Sequence, residues 1–206
     1  MLAESAEMGT MRVLVACEFS GIVRDAFIAR GHDAWSCDLL PTETEGPHIQ
    51  DDVLKHLEGW DLMIAHPPCT HLSVSGAQWF HKKQKVRWEA IKFFMAFTET
   101  NIPKWCIENP VGIMSTVFRK PDQIIQPYYW NDPYQKTTCL WLNNLPKLVP
   151  DCMDAPLFGM EFDKGEFVTY ASGAVLPKWY SELRGKGHER SKTFLGIAKA
   201  MAEQWG

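Results

Sequence analysis

Asp61-Leu62-Met63-Ile64-Ala65-His66-Pro67-Pro68-Cys69-Thr70-His71-Leu72-Ser73-Val74-Ser75-Gly76 is the stretch that decides how the rest of this chain is read. Its apolar run, Leu62 to Ala65, predicts a buried strand, and Pro67-Pro68 stops that strand because a proline offers no N–H to a sheet ladder. A cysteine follows at once. A lone cysteine is ordinarily a small core hydrophobe. A thiol behind two rigid residues at a strand exit, with hydroxyls at Thr70, Ser73 and Ser75, nevertheless stands where an α/β protein places a nucleophile.

Upstream, Arg12-Val-Leu-Val-Ala-Cys17 is another short apolar run. It ends at Glu18-Phe19-Ser20-Gly21, after which Val23, Ala26, Phe27 and Arg30 recur at helical spacing until Gly31. Asp33 to Cys37 predicts a second strand, followed by Asp38, and a Pro/Gly-rich loop leads to a third element carrying Asp51-Asp52-Val53. Strands alternating with helices predict an α/β fold with a Rossmann-like, doubly wound and mostly parallel sheet. Ligands of such sheets bind outside the carboxyl ends of the strands, where Glu18 to Gly21, Asp38, Asp52 and His66 to Cys69 all fall. An acid after the second strand suits the hydroxyls of a ribose, and a glycine beside a helix N-terminus admits a ligand close to the backbone. Asp38 as a turn cap and Gly21 as a merely permissive residue are the plainer alternatives.

Downstream, His81-Lys82-Lys83-Gln84-Lys85-Val86-Arg87 is the densest basic run, and it opens a helix whose apolar face is Val86, Ala90, Phe93, Phe94 and Phe97. Those cations are either a solvated helix start or a contact for phosphates. Lys104-Trp-Cys-Ile-Glu108-Asn109-Pro110 then repeats the earlier pattern, an apolar strand that ends in a carboxylate and an amide. Neighbouring strands would bring Glu108 and Cys69 into one crevice. Desolvation there raises the pKa of a glutamate and makes it a proton donor.

The composition is that of one domain, residues 11–206, with 46% hydrophobic residues for a core. A net charge of -4 excludes wrapping nucleic acid by charge alone, so any such contact is a local basic face. The six cysteines (Cys17, Cys37, Cys69, Cys106, Cys139, Cys152) stand singly, without zinc spacing, which predicts reduced thiols and no metal. No apolar run is long enough to span a membrane, and residues 1–10 read as a flexible leader without the apolar centre of a signal peptide. The expectation is a soluble, cytoplasmic protein with no membrane partner.

Pro67-Pro68-Cys69-Thr-His-Leu-Ser73 resembles the Pro-Pro-Cys-x-x-x-Ser motif of the DNA cytosine-5 methyltransferases, and Glu108-Asn109-Pro110 resembles that family's Glu-Asn-Val. Glu18-Phe19-Ser20-Gly21 is similar to its cofactor-binding Phe-x-Gly turn. Asp38 is similar in place to its ribose-binding acid, Asp52-Val53 to its adenine-contacting Asp-Ile, and Arg190 to Trp205 to its closing helix. The resemblance covers about residues 12–145 and 188–206. It implies a class I methyltransferase type of sheet and S-adenosylmethionine as cofactor, held by Glu18 to Gly21, Asp38, Asp52 and His66. Cys69 would attack C6 of a cytosine from a turn shaped by Pro67 and Pro68, while Glu108 would engage N3 and the 4-amino group and Asn109 would orient the turn. The implied partner is DNA whose cytosine is flipped or single-stranded. Ser73, Lys82, Lys83, Lys85, Arg87, Lys136, Arg184, Lys186 and Arg190 are the candidate nucleic-acid contacts. Short relatives of this kind imply a bacteriophage or its bacterial host, and a part in restriction-modification.

The chain departs from the family in two places. The counterpart of its Gln-x-Arg-x-Arg segment, Gln135-Lys136-Thr-Thr-Cys139-Leu-Trp-Leu142, is a strand-like run without arginine, and a point charge at Lys136 does not replace a planar fork. In place of a separate recognition domain stands a turn-rich segment, 146–188, expected to be a small hairpin or lid. Its aromatics Phe158, Phe162, Phe167, Tyr170, Trp179 and Tyr180 either pack it to the sheet or stack on bases. Two other functions stay open: an impaired derivative that binds cofactor or nucleic acid as a regulator or anti-restriction factor, and the same chemistry on RNA or a free cytosine nucleotide.

Overall fold

The structure is a computed structural model and describes residues 9–73, 84–150 and 162–206. The leader's first eight residues, the basic positions His81, Lys82 and Lys83, and the lid positions Asp151 to Glu161 lie outside the described residues.

Seven strands form one sheet: β1 (Arg12–Ala16), β2 (Asp33–Asp38), β3 (His48–Gln50), β4 (Leu62–Ala65), β5 (Lys104–Pro110), β6 (Gln123–Ile125) and β7 (Thr138–Asn143). Their order is β3-β2-β1-β4-β5-β7-β6. The first five run parallel, and β7 lies antiparallel between β5 and β6. The central strands are continuous apolar runs because both of their faces are covered: Val13 to Ala16 and Leu62 to Ala65 are all fully buried.

Alternation along each strand sorts these side chains into two cores. Val13, Val15, Leu62 and Ile64 meet α1 (Ile22–Ala29) and the C-terminal helix, while Leu14, Ala16, Met63 and Ala65 meet α2 (Gln84–Ala96). On the first side Phe27 packs with Met201 and Trp205, and on the second Phe94 and Phe97 pack beside Trp141. Phe94 meets Trp141 edge-on at 5.2 Å, and the indole donates to the Arg119 carbonyl at 2.8 Å, so its polar atom is satisfied inside the core.

The order of strand addition switches at β1. This strand leads to β2 and β3 on one side, and β4 returns on the other. The crevice beyond the carboxyl ends of β1 and β4 is therefore the topological switch point of the sheet, where ligands of open α/β folds bind.

Several boundaries differ from those the sequence predicts. β5 does not end at Glu108 but continues through Pro110, because Glu108, Asn109 and Pro110 pair with Leu140, Cys139 and Thr138 of β7. Val86 is exposed, so α2 covers the sheet with Ile91 and Phe94, and Phe97 follows just past its end. After β6, α3 (Met114–Val117) having preceded it, the chain makes one 3₁₀ turn over Pro127–Trp130 before β7. The candidate lid contains an antiparallel hairpin, β8 (Phe167–Thr169) and β9 (Val175–Pro177), then α4 (Lys178–Glu182) and α5 (Gly187–Ser191). Arg190 belongs to α5, and the closing helix α6 (Leu195–Trp205) begins later. Phe162 packs on Tyr128 and Tyr129, and Trp179 on Tyr134 and Phe194, which fixes the segment to the sheet domain, whereas Phe167 and Tyr180 are exposed. Among the described residues no helix is long and apolar enough to cross a membrane.

Candidate active site

The Pro-Pro-Cys loop is fastened to β5 at its start and to the chain just past β5 at its end. His66 still donates its backbone N–H to Ala16 (2.9 Å), so β4 keeps its place beside β1 up to the prolines. The buried Asn109 side chain then donates from Nδ2 to the Pro67 carbonyl at 2.7 Å. Beyond the prolines, the N–H groups of Leu72 and Ser73 both reach the Cys69 carbonyl, at 3.0 and 2.9 Å, which closes a tight turn with the thiol on its outside. Ile113 donates to Leu72, and Ser73 bridges Gly112, where a side chain would collide with the Leu72 carbonyl. Cys69 is exposed, while Ser73 is buried in this bridge and not presented as a nucleic-acid contact.

Register places the acid. Ala65 pairs with Ile107, so His66, just past the end of β4, comes beside Glu108, which is still within β5. His66 Nδ1 lies 3.1 Å from Glu108 Oε2, with both side chains mostly buried. Burial pushes the Glu108 carboxyl up, but the His66 hydrogen bond and the Lys136 ammonium outweigh it, and the net displacement is below the ordinary value. The expected raised acid is therefore corrected to an ionised carboxylate. Desolvation first, and then this carboxylate, push the Cys69 thiol up. Lys136 and Arg190 oppose them in part, so the resting group is a thiol. Lys136, which stands where an arginine was missing, thus acts on both Cys69 and Glu108. Its Nζ lies 3.4 Å from the Lys192 carbonyl and 5.6 Å above the Phe194 ring.

The turn after β1 is used differently from expectation. Glu18 is buried, and its carboxylate accepts the N–H groups of Val23 (2.7 Å) and Arg24 (3.1 Å), so it caps α1. Burial raises its pKa, partly offset by His66 and by those N–H groups. Ser20 donates to Glu18 Oε1 at 3.2 Å. Gly21 has φ 75° and no room for a side chain, but what fills that room is Thr44 and Arg24, not ligand space. The helix N-terminus and Gly21 are thus committed internally. Phe19 stacks on His188 of α5 at 4.2 Å.

The acids farther along the edge remain available to a ligand. Asp38 holds the Leu40 N–H with one oxygen (2.9 Å), and Asp52 caps the 3₁₀ turn at Val53–Lys55 through Leu54 (3.1 Å). Cys17, in the left-handed region at φ 58°, has its thiol pushed up first by burial and then by Asp38, Cys37 and Asp52, which places it among those carboxylates. His66 Nε2 is buried and has no hydrogen-bond partner among the described residues. Carboxylates with an unpaired ring nitrogen suit a cationic ligand bearing hydroxyls and amines, not a phosphate. This donor set fits S-adenosylmethionine.

The remaining basic residues are less concentrated. Lys85, Arg184 and Lys186 are exposed and Arg87 is half-buried, whereas the Arg190 guanidinium lies 4.7 Å above the Tyr180 ring. Among the described residues one group has metal-like spacing, Glu43, His188 and Glu189. The Lys192 ammonium already bridges its two carboxylates at 2.7 and 2.9 Å.

Three residues escaped the sequence reading. Cys17 gave no signal, since a positive φ is invisible in a side chain. His188 looked like one more basic residue. Arg24 did carry a signal: it lies beside Val23 and three positions before Phe27, on the helix side that packs inward, and it is fully buried.

Compared with protein-family models and with curated proteins, the chain matches none. Its function is therefore argued from the site.

Proposed function

We propose that this protein transfers a methyl group from S-adenosylmethionine to C5 of cytosine in DNA, through a covalent bond between Cys69 and C6. The observation that carries the reading is the fastening of the Pro-Pro-Cys loop to the strand that bears Glu108. Asn109 holds Pro67 at 2.7 Å, and Glu108's charge reaches the Cys69 thiol. A parallel sheet whose strand order switches between β1 and β4, with antiparallel β7 inserted beside β5, agrees with the class of fold that the resemblance implies.

In this reading Asp38 and Asp52 hold the hydroxyl and amine groups of the cofactor on the β1 side of the crevice. Glu108, ionised in the free protein, takes up a proton from solvent as the base binds, accepts a hydrogen bond from the 4-amino group with one oxygen and donates that proton to N3 with the other, which draws electrons from C6. Cys69 gives its proton to water, Sγ bonds to C6 as the 5,6 double bond opens, and electron density builds at C5. When bound, S-adenosylmethionine supplies a methyl group attached to a sulfonium, an acceptor for that density. Transfer of the C5 proton to water restores the 5,6 double bond, breaks the Sγ–C6 bond and returns the N3 proton to Glu108. Lys136 and Arg190 favour the thiolate, and the rigid prolines hold it against the ring. A base reaches such a pocket unstacked, so the DNA is flipped or single-stranded there.

One observation favours a second reading. The Cys69 thiol is pushed up, not down, which suits a protein that binds cofactor or nucleic acid without turnover. A single experiment decides between them. The protein is incubated with S-adenosylmethionine and a single-stranded oligonucleotide containing 5-fluorocytosine, and the products are read by denaturing electrophoresis and mass spectrometry. The enzymatic reading expects a cofactor-dependent adduct on Cys69 that Cys69→Ser abolishes. Cofactor binding without adduct or 5-methylcytosine, on single-stranded DNA, duplex DNA, RNA and dCTP alike, sinks it in favour of the second.

A further inference from the structure

His66 stands at the junction of the two half-sites. Its backbone is held by β1 through Ala16, its ring lies beside β5 against Glu108, and it is within electrostatic reach of Glu18 after β1. The side chain is 9% exposed. Nδ1 is 3.1 Å from Glu108 Oε2, and Nε2 is buried without a partner among the described residues. An ionised carboxylate can only accept, so Nδ1 carries the hydrogen. In the neutral ring Nε2 is then an acceptor, buried and unsatisfied, and leaving such an atom unpaired carries a free-energy penalty. The charged groups that the ring faces are Glu18 after β1 and Glu108 on β5, and Lys136 before β7 acts on the same Glu108 carboxylate. Glu18 has both oxygens engaged in capping α1, so it does not supply the missing donor.

We propose that His66 is the positioning residue that joins the two halves of the site: Nδ1 fixes Glu108 for the base, and Nε2 accepts a hydrogen bond from an amine of the ligand between β1 and β4. The inference rests on the reading given under Proposed function and adds to it a direct link between cofactor and acid. Because Nδ1–H takes one lone pair of Oε2, the other lone pair and Oε1 stay open toward the base. Glu108 is thereby held in one rotamer. A bound amine that orients the ring from Nε2 orients Glu108 with it, so occupancy of one half-site organises the other.

Two substitutions separate the two nitrogens. The amide nitrogen of asparagine occupies the place of Nδ1, and the amide group of glutamine that of Nε2. His66→Asn is expected to bind S-adenosylhomocysteine about tenfold more weakly, the scale of one unmade buried hydrogen bond, and to trap 5-fluorocytosine more slowly at low S-adenosylmethionine, a loss that raising S-adenosylmethionine overcomes. His66→Gln is expected to show the reverse, near-normal S-adenosylhomocysteine binding by calorimetry and trapping slowed about tenfold. In the wild type, S-adenosylhomocysteine should move the ¹⁵N resonance of Nε2, and Glu108→Gln should move that of Nδ1, a readout independent of whether either His66 variant folds. If both variants lose both properties together at high S-adenosylmethionine, or neither loses any, or the Nε2 resonance ignores S-adenosylhomocysteine, the inference is overturned. If the wild type neither binds S-adenosylhomocysteine nor traps, the proposed function itself falls, and this inference with it.

Discussion

Replacing Arg24 by methionine should destabilise the protein by about 3–5 kcal/mol, although Arg24 touches none of the proposed chemistry. The guanidinium is fully buried. It donates to Ser36 Oγ and Thr42 Oγ1 (both 3.1 Å), Thr44 Oγ1 (2.6 Å), the Glu45 carbonyl (3.2 Å) and Asp25 Oδ1 (2.8 Å). Methionine replaces most of the aliphatic volume and none of the donors. Several acceptors recover other partners: Ser36 keeps His48 (2.8 Å), Thr44 keeps the Ser20 carbonyl (3.3 Å), and the half-exposed Asp25 is rehydrated. The Glu45 carbonyl belongs to an exposed residue and is rehydrated, while the two shortest charge-assisted bonds each contribute about 1.5–3 kcal/mol. Allowing for the bonds that re-form, about 3–5 kcal/mol remains. Urea unfolding followed by tryptophan fluorescence measures it, with an unchanged denaturant slope as the sign that native and denatured states keep their compactness. A loss under about 1 kcal/mol would refute the view that Arg24 fastens the 42–47 loop over α1.

Three further outcomes are expected. Asn109→Ala removes the 2.7 Å tie to Pro67; it should cost about 1–3 kcal/mol in urea unfolding and slow fluorocytosine trapping at Cys69 at least tenfold, whereas trapping at the wild-type rate would show that the loop holds itself. Glu108 has a folded pKa below its ordinary value of 4.5, so its contribution to stability is present above that pH and is lost as pH falls through the folded value; the stability deficit of Glu108→Gln at pH 7 should shrink below about pH 4.5, and a deficit that widens there contradicts the sign. Lys136 lowers the Cys69 pKa, so in Lys136→Ala the midpoint of Cys69 alkylation, located by mass spectrometry, should move to higher pH, and no movement would separate the ammonium from the site.

What the sequence disclosed depended on how each signal is written. Strands β1, β4 and β5 are legible because burial on both faces produces unbroken apolar runs, which no exposed segment imitates. The three-residue strands β6, β8 and β9 are too short to show a period, and Val86 looked inward only because it has the right spacing. The pairing of Cys69 with Glu108 was readable from two successive strand exits. The protonation of Glu108 was not, since it depends on neighbours that register delivers: Ala65 opposite Ile107 puts His66 beside it. Gly21 carried a true signal for a positive φ, but what occupies the space above it is Thr44, twenty-three positions away, and nothing local announces that.

Lys136 shows the same limit from the side of topology. Parallel strands deliver to the crevice the residues that follow them, which is why Cys69, Asp38 and Glu18 are found by looking just past apolar runs. An antiparallel strand delivers the residues that precede it. Thr138 pairs with Pro110 at the carboxyl end of β5, so the chain before β7, Gln135 to Thr137, reaches the edge where Glu108 and Cys69 lie. A cation at the far end of the strand, six residues on at Leu142, would stand about 20 Å away at about 3.4 Å per residue, beyond the Debye length of physiological salt. Once β7 is reversed, the position just before its first residue becomes the place from which a charge can act on both the thiol and the carboxylate. From that place Lys136 acts on Cys69 and Glu108 with a single point charge, which a planar fork would exceed in both hydrogen bonds and geometry.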